Sequence, residues 1–163
     1  MDNNKIEQKE NFSITAETIS GDALRNIIDK YRDTSDEKRF LKSEDGGVFK
    51  YFHPDALYGN KTNKFYSIVK VNEKIIGLCL LGEDTYKEKT FGLGFLSIDP
   101  EYQGQGYASK LAEESFKFAK KEGYSILGTP YSDEGDKKLK PLFTKLADKF
   151  GVNYIDYKEG RMK

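Results

Sequence analysis

Residues 96 to 111, LSIDPEYQGQGYASKL, change character twice. They begin on an apolar run that Pro100 stops, pass through Gly104 and Gly106, and end in a helical pattern opened by Ala108 and Leu111. A helix N-terminus exposes about four unpaired backbone N–H groups and carries a partial positive charge. Glycine lets that backbone approach a ligand with no side chain between them. A strand, a glycine turn and a helix in this order therefore offer a seat for pyrophosphate. A P-loop is excluded because Tyr107 follows Gly106 where lysine would be needed. A dinucleotide fingerprint is excluded because Ser109 stands where glycine or alanine is required, and because this turn follows an antiparallel hairpin.

Outward from the turn, the periodicity predicts the remaining elements. Ala108, Leu111, Ala112, Ser115, Phe116 and Ala119 share one face of a long helix that Gly123 closes. YSILGTPY (124–131) reads as a strand, and Leu139, Leu142, Phe143, Leu146, Ala147 and Phe150 mark a second helix, with Pro141 early in it and Gly151 at its end. VNYIDY (152–157) is a last strand. Upstream, KFYSIVKV (64–71) and KIIGLCLLGED (74–84) flank Asn72-Glu73 as a tight hairpin, and FGLGFLSID (91–99) follows a polar connection. SGDALRNIIDKY (20–31) is an amphipathic helix capped by Ser20 or Asp22, and Thr34 with Glu37 forms a capping box for a short second one. GGVFKYFHPDALYGN (46–60) reads as an extended segment and a loop. The order is helices, antiparallel strands, strand–turn–helix, then strand, helix, strand. That is a mixed α/β arrangement on one sheet, with Phe91 to Leu127 as a βαβ unit.

Composition narrows the chemistry. The chain has 163 residues, enough for one domain with one core, expected over 12–163 with residues 1–11 disordered. Lys plus Arg equal Asp plus Glu at 27 each, which argues against nucleic acid; KKLK (137–140) is a solvated helix start. Cys79 is the only cysteine and His53 the only histidine, so no Cys/His zinc site and no disulfide framework can be built, and no metal is expected. Cys79, inside IIGLCLLG, reads as a small buried hydrophobe. The polar start MDNNKIEQKEN is no secretory signal and no apolar run reaches membrane-spanning length, so a cytoplasmic protein without membrane contact is expected.

The stretch quoted above resembles the acyl-CoA signature of the Gcn5-related N-acetyltransferase superfamily, Gln/Arg-x-x-Gly-x-Gly/Ala. Gln103, Gly106 and Ala108 occupy its positions, after a hydrophobic strand and Asp99-Pro100 and before Leu111. The element order from about Ile68 to Tyr157 matches as well. The resemblance implies a central, mostly antiparallel sheet with a βαβ unit and helices on both faces. It also implies acetyl-CoA as co-substrate and an amine of a small molecule or protein as acceptor. By the same resemblance, backbone amides from Gln103, Gly104, Gln105, Gly106, Tyr107 and Ala108 hold the pyrophosphate. Leu96 and Ile98 offer their backbone to pantetheine, and one of their amides polarises the thioester carbonyl.

The sequence departs from the family pattern where the acid and base usually stand. A tyrosine acid commonly precedes the last helix's closing glycine by four residues, and that position is Ala147. A cofactor-contacting asparagine aligns with Lys140. Tyr131, after the fifth strand, is the candidate for the acid, with core packing as its plainer reading. No acidic residue interrupts FGLGFLSI, so Glu83, beside Asp84 at the end of the preceding strand, is the candidate base; a solvated turn is the plainer reading. His53 reads as a loop residue or one on the acceptor side. The alternative function is a degenerate domain that binds CoA or a protein partner without catalysis. Acceptor selectivity is implied for residues 20–64, whose pattern names no substrate, and a homodimer would be unsurprising.

Overall fold

The computed structural model describes residues 13–31, 64–84, 86–128 and 133–155. Its elements are β1 (Ile14–Ser20), α1 (Gly21–Tyr31), β2 (Lys64–Val71), β3 (Lys74–Glu83), β4 (Thr90–Ile98), a single 3-10 turn (Pro100–Tyr102), α2 (Tyr107–Glu122), β5 (Ser125–Leu127), α3 (Asp133–Phe150) and β6 (Tyr154–Ile155). Among the described residues these strands form one sheet in chain order, β1-β2-β3-β4-β5-β6. The first four are antiparallel, while β4–β5 and β5–β6 are parallel. The mixed α/β sheet and the βαβ unit through α2 are as the sequence predicts.

Local chemistry explains the elements. Asn72 and Glu73 take φ of 49° and 69°, the left-handed pair that a two-residue hairpin needs to match strand twist. Ser20 is the cap of α1, its Oγ accepting the Ala23 N–H at 3.2 Å. Gly123, at φ 75°, ends α2 by donating to the carbonyls of Ala119 and Lys120. Pro141 lies inside α3. It is exposed, and the helix runs through it. The strands over 124–131 and 152–157 are shorter than the sequence pattern suggests, and residues 129–132 and 156–157 lie outside the described set.

One element was absent from the sequence reading. β1 pairs with β2 along its whole length, Ile14↔Val71 to Ser20↔Phe65, so a strand and not a helix is the first described element. It is an edge strand with no fully buried residue, so it lacks the apolar alternation that marks the inner strands.

The sheet divides two apolar clusters by strand alternation. On one face Val69, Val71, Cys79, Leu81, Phe91 and Leu93 meet Leu111, Phe116 and Ala119 of α2 and Phe143, Leu146 and Ala147 of α3. On the other, Tyr66, Ile68, Ile75 and Leu78 meet Leu24 of α1. Helices thus cover both faces. Within α2 the buried stripe begins at Tyr107 rather than Ala108, which is only partly covered. No described helix is long and apolar enough to cross a membrane.

Candidate active site

The turn between β4 and α2 is built so that its backbone faces outward. Asp99, fully buried, caps the 3-10 turn by accepting the Glu101 N–H at 3.2 Å, and its own N–H donates to Ile76 O at 2.7 Å. This anchors the loop to β3. Both glutamine side chains fold back onto the loop: Gln103 Nε2 donates to Ile98 O at 3.0 Å and Gln105 Nε2 to Glu101 O at 3.3 Å. The Gln103 amide donates to Pro100 O at 3.3 Å, so it is already engaged inside the turn. Among the described residues nothing accepts from the amides of Gly104, Gln105, Gly106, Tyr107, Ala108 or Ser109; the first helical bond is Lys110 N–H to Gly106 O at 3.2 Å.

Gly104 and Gly106 have φ of 76° and 86°, a conformation costly to any residue with a Cβ. A Cβ at either would nevertheless meet no protein atom within 4 Å. The space they leave clear is therefore outside the protein, in front of the free amides. Gly106 supplies no side-chain cap and the first turn of α2 holds no acidic residue, so the helix's positive end is neither neutralised nor covered. Tyr107 contributes only its backbone here, since its ring is buried and edge-on to Tyr102 at 6.1 Å.

A second opening continues from this cradle. β5 pairs with β4 only through Thr90↔Ser125, Phe91↔Ile126 and Gly92↔Leu127. From Leu93 to Ile98 the β4 edge has no described partner on that side, although β3 pairs with the other. Alternate N–H and C=O groups along such an edge point outward. The ladder also slips between Leu78 and Leu80, so that Phe95 and Leu96 together stand opposite Cys79, a bulge that re-aims the backbone of the open edge. The open edge from Leu93 to Ile98 is roughly 17 Å long at about 3.3 Å per residue, and it ends at the cradle.

A family model, described as acetyltransferase (GNAT) family, matches residues 24–147. The chain belongs to the GNAT acetyltransferase family. Human N-acetyltransferase 8B is 28% identical over a stretch covering 60% of this chain and 51% of that protein, so the chain spans about half the length of this curated relative. Among solved structures, the ribosomal-protein-S18-alanine N-acetyltransferase of Escherichia coli is similar with TM-score 0.53 at 14% identity, covering 82% of this chain and 76% of that one. An IAA acetyltransferase from Bacillus cereus has TM-score 0.51 at 18% identity, covering 82% and 75%. These two likenesses are of fold.

Placed in this GNAT domain, the candidate acid and base separate. Tyr131 and His53 lie outside the described residues. Glu83 pairs with Phe91 in the β3–β4 ladder, just past the point where β4 and β5 part, at the end of the sheet away from the cradle. Its Oε1 accepts the Tyr124 hydroxyl at 2.6 Å, and the Tyr124 ring stacks on Phe91 at 4.2 Å. That hydrogen bond, with lesser help from desolvation and nearby carboxylates, pushes the Tyr124 phenol up. Leu96 and Ile98 both lie on the open edge, their partly buried side chains packed against the core. Ala147 is buried in the core. Cys79 is fully buried, and burial pushes its thiol up to about 12, so it is no nucleophile.

Proposed function

We propose that this GNAT domain transfers an acetyl group from acetyl-CoA to an amine. The observation that carries the reading is the continuity of two backbone features: the outward-facing amides of Gly104 to Ser109 and the open β4 edge from Leu93 to Ile98. The first suits a pyrophosphate, the second an amide-bearing chain laid alongside a strand. Acetyl-CoA, when bound, supplies an activated thioester. The chain's own residues do the rest. Amides of the turn hold the diphosphate, with Gln103 contributing its side-chain brace rather than its N–H. The β4 edge orients the arm, and an amide at the Phe95–Leu96 bulge or at Ile98 stabilises negative charge on the carbonyl oxygen as the amine attacks.

The amine must arrive neutral or lose its proton in place. We infer that Glu83, whose Oε1 accepts the Tyr124 hydroxyl, takes that proton through an ordered water chain. A Glu83→Gln variant should lower the turnover rate and leave acetyl-CoA affinity unchanged; unchanged turnover would remove Glu83 from the mechanism. Structures of similar fold include a spermidine N-acetyltransferase and a ribosomal-protein-S18-alanine N-acetyltransferase, whose acceptors are amines, which supports an amine acceptor here.

The test is a thermal melt titrated with acetyl-CoA. A ligand that binds only the native state at a hundred times its Kd adds about 2.7 kcal/mol, or roughly 5–10 °C for a chain of this size. The wild type should show this and Gly106→Glu should not, because a carboxylate would enter the cradle. An amine panel scored by thiol release then separates catalysis from binding alone. No shift at millimolar ligand would refute the proposal.

A further inference from the structure

Behind the β4 bulge the core turns polar. Phe95 and Leu96 together face Cys79 across the β3–β4 ladder, between the pairs Leu78↔Ser97 and Leu80↔Gly94. A bulge leaves part of its ladder unmade, and buried backbone groups beside it need partners from elsewhere. Cys79 offers one. Its thiol is fully buried beneath α2, in hydrogen-bonding contact with the Ser115 side chain and the Gly94 backbone. Ser115 is fully buried as well, and its hydroxyl donates to Leu111 O at 3.1 Å, one turn back along α2. Ser67, paired with Cys79 on β2, is hydrogen-bonded to Thr18 at 2.8 Å, which leaves the sulfur to Ser115 and Gly94. Ser67 and Ser115 are two of the four buried polar residues among those described, and both adjoin Cys79. Packing of α2 on the sheet calls for none of these groups, since the rest of that cluster is built from side chains such as Val69, Leu81, Leu93 and Phe116.

We propose that Cys79 and Ser115 are positioning residues for acyl transfer: from behind the strand they hold the β4 bulge in one arrangement and so aim its amide at the thioester carbonyl. This rests on the acetyl-CoA reading above. An amide stabilises a developing oxyanion only while it points at the place the oxygen will occupy, and a misplacement of about 1 Å costs up to about 100-fold in rate. On its outer side β4 has no described partner from Leu93 to Ile98, so no second strand fixes the bulge there. Its direction is set from β3 and α2 alone. A thiol suits the position, because it fills space as a small hydrophobe and still makes weak hydrogen bonds. α2 opens at the cradle and carries Ser115 about two turns further on, so one helix backs both the diphosphate seat and the bulge.

The test compares Cys79→Ser, Cys79→Val and Ser115→Ala with the wild type, each as the full chain. Serine keeps a group able to bond to Gly94 and Ser115, whereas valine fills the space with hydrocarbon. If Cys79 only packs, valine should preserve thermal stability and turnover together better than serine does. A positioning role reverses the order for turnover. With any amine that the wild type turns over, Cys79→Ser should stay within about threefold in kcat, while Cys79→Val and Ser115→Ala fall about tenfold. That is less than the roughly 100-fold or more that follows removal of an oxyanion donor, because the amide is turned and not lost. KM for acetyl-CoA should be unchanged in all three. Amide exchange of the ligand-free protein reads the same contact without turnover: residues 94–96 should exchange faster in Cys79→Val than in Cys79→Ser. Turnover that follows stability, with valine at or above serine, overturns the assignment and leaves the acetyl-CoA reading standing, as does equal exchange at 94–96 in the two variants. Failure of the wild type to bind acetyl-CoA overturns both.

Discussion

Gly106 and Gly123 bracket the same helix and form a matched pair. Their φ values are 86° and 75°, and a Cβ at either position would touch nothing within 4 Å. Replacing either with alanine therefore costs left-handed strain without a clash, roughly 1–2 kcal/mol. Part of it is offset by about 0.4–1 kcal/mol because alanine restricts the unfolded chain. The net loss of about 1 kcal/mol should lower Tm by roughly 2–4 °C in each variant. Their surroundings differ. Gly123 closes the C-terminal end with bonds to Ala119 and Lys120 carbonyls, whereas Gly106 faces the space in front of the free amides. A methyl at 106 would hold a phosphate away from at least one amide, and a hydrogen bond to a charged group is worth about 1.5–3 kcal/mol. Calorimetric titration should therefore show acetyl-CoA affinity about tenfold or more weaker in Gly106→Ala and unchanged in Gly123→Ala. Equal affinities, at equal Tm loss, would refute the claim that this glycine is kept clear for a ligand.

Three further outcomes follow from side chains already placed. Glu114, half-buried, accepts from Thr18 Oγ1 at 2.9 Å, and burial pushes its carboxyl up from 4.5 despite that bond. A group raised in the fold contributes stability below its unfolded pKa and loses it as pH rises through the folded one. Glu114→Gln should accordingly gain stability over wild type in urea melts at pH 7, the gain vanishing at pH 4; an equal difference at both would contradict it. Cys79 should react with a thiol reagent only at the rate of unfolding, and fast labelling of the native protein would show that its burial is wrong. Tyr124 owes its raised ionisation first to Glu83; in Glu83→Gln its spectroscopic titration should fall back toward 10, and an unchanged titration would mean the pair does not form in solution.

The parts of the fold that could be read in advance are those decided by residues near one another in the chain. Asn72-Glu73 between two apolar runs can hardly be anything but a hairpin, and Gly123 and Gly151 end helices that the apolar period already traces. β1 escaped because ITAETIS buries nothing completely and is held as a strand by backbone pairing to β2. The cradle was visible because its glycines and its helix start are contiguous. Its partner feature was not, because the parting of β4 from β5 after Gly92 is a tertiary event with no local residue signal. The engagement of the Gln103 amide by Pro100 is likewise invisible without coordinates.

In the proposed function, the backbone from Gly104 to Ser109 and the β4 edge from Leu93 to Ile98 together hold acetyl-CoA. Amide hydrogen exchange reports on those groups directly, since an N–H without an acceptor exchanges freely and one bound to a ligand does not. Exchange should be measured on the full chain with and without saturating acetyl-CoA. Slowed exchange is expected in both stretches, with the amides at 72–73 of the β2–β3 hairpin unaffected. Saturating acetyl-CoA that leaves both stretches unprotected would contradict it.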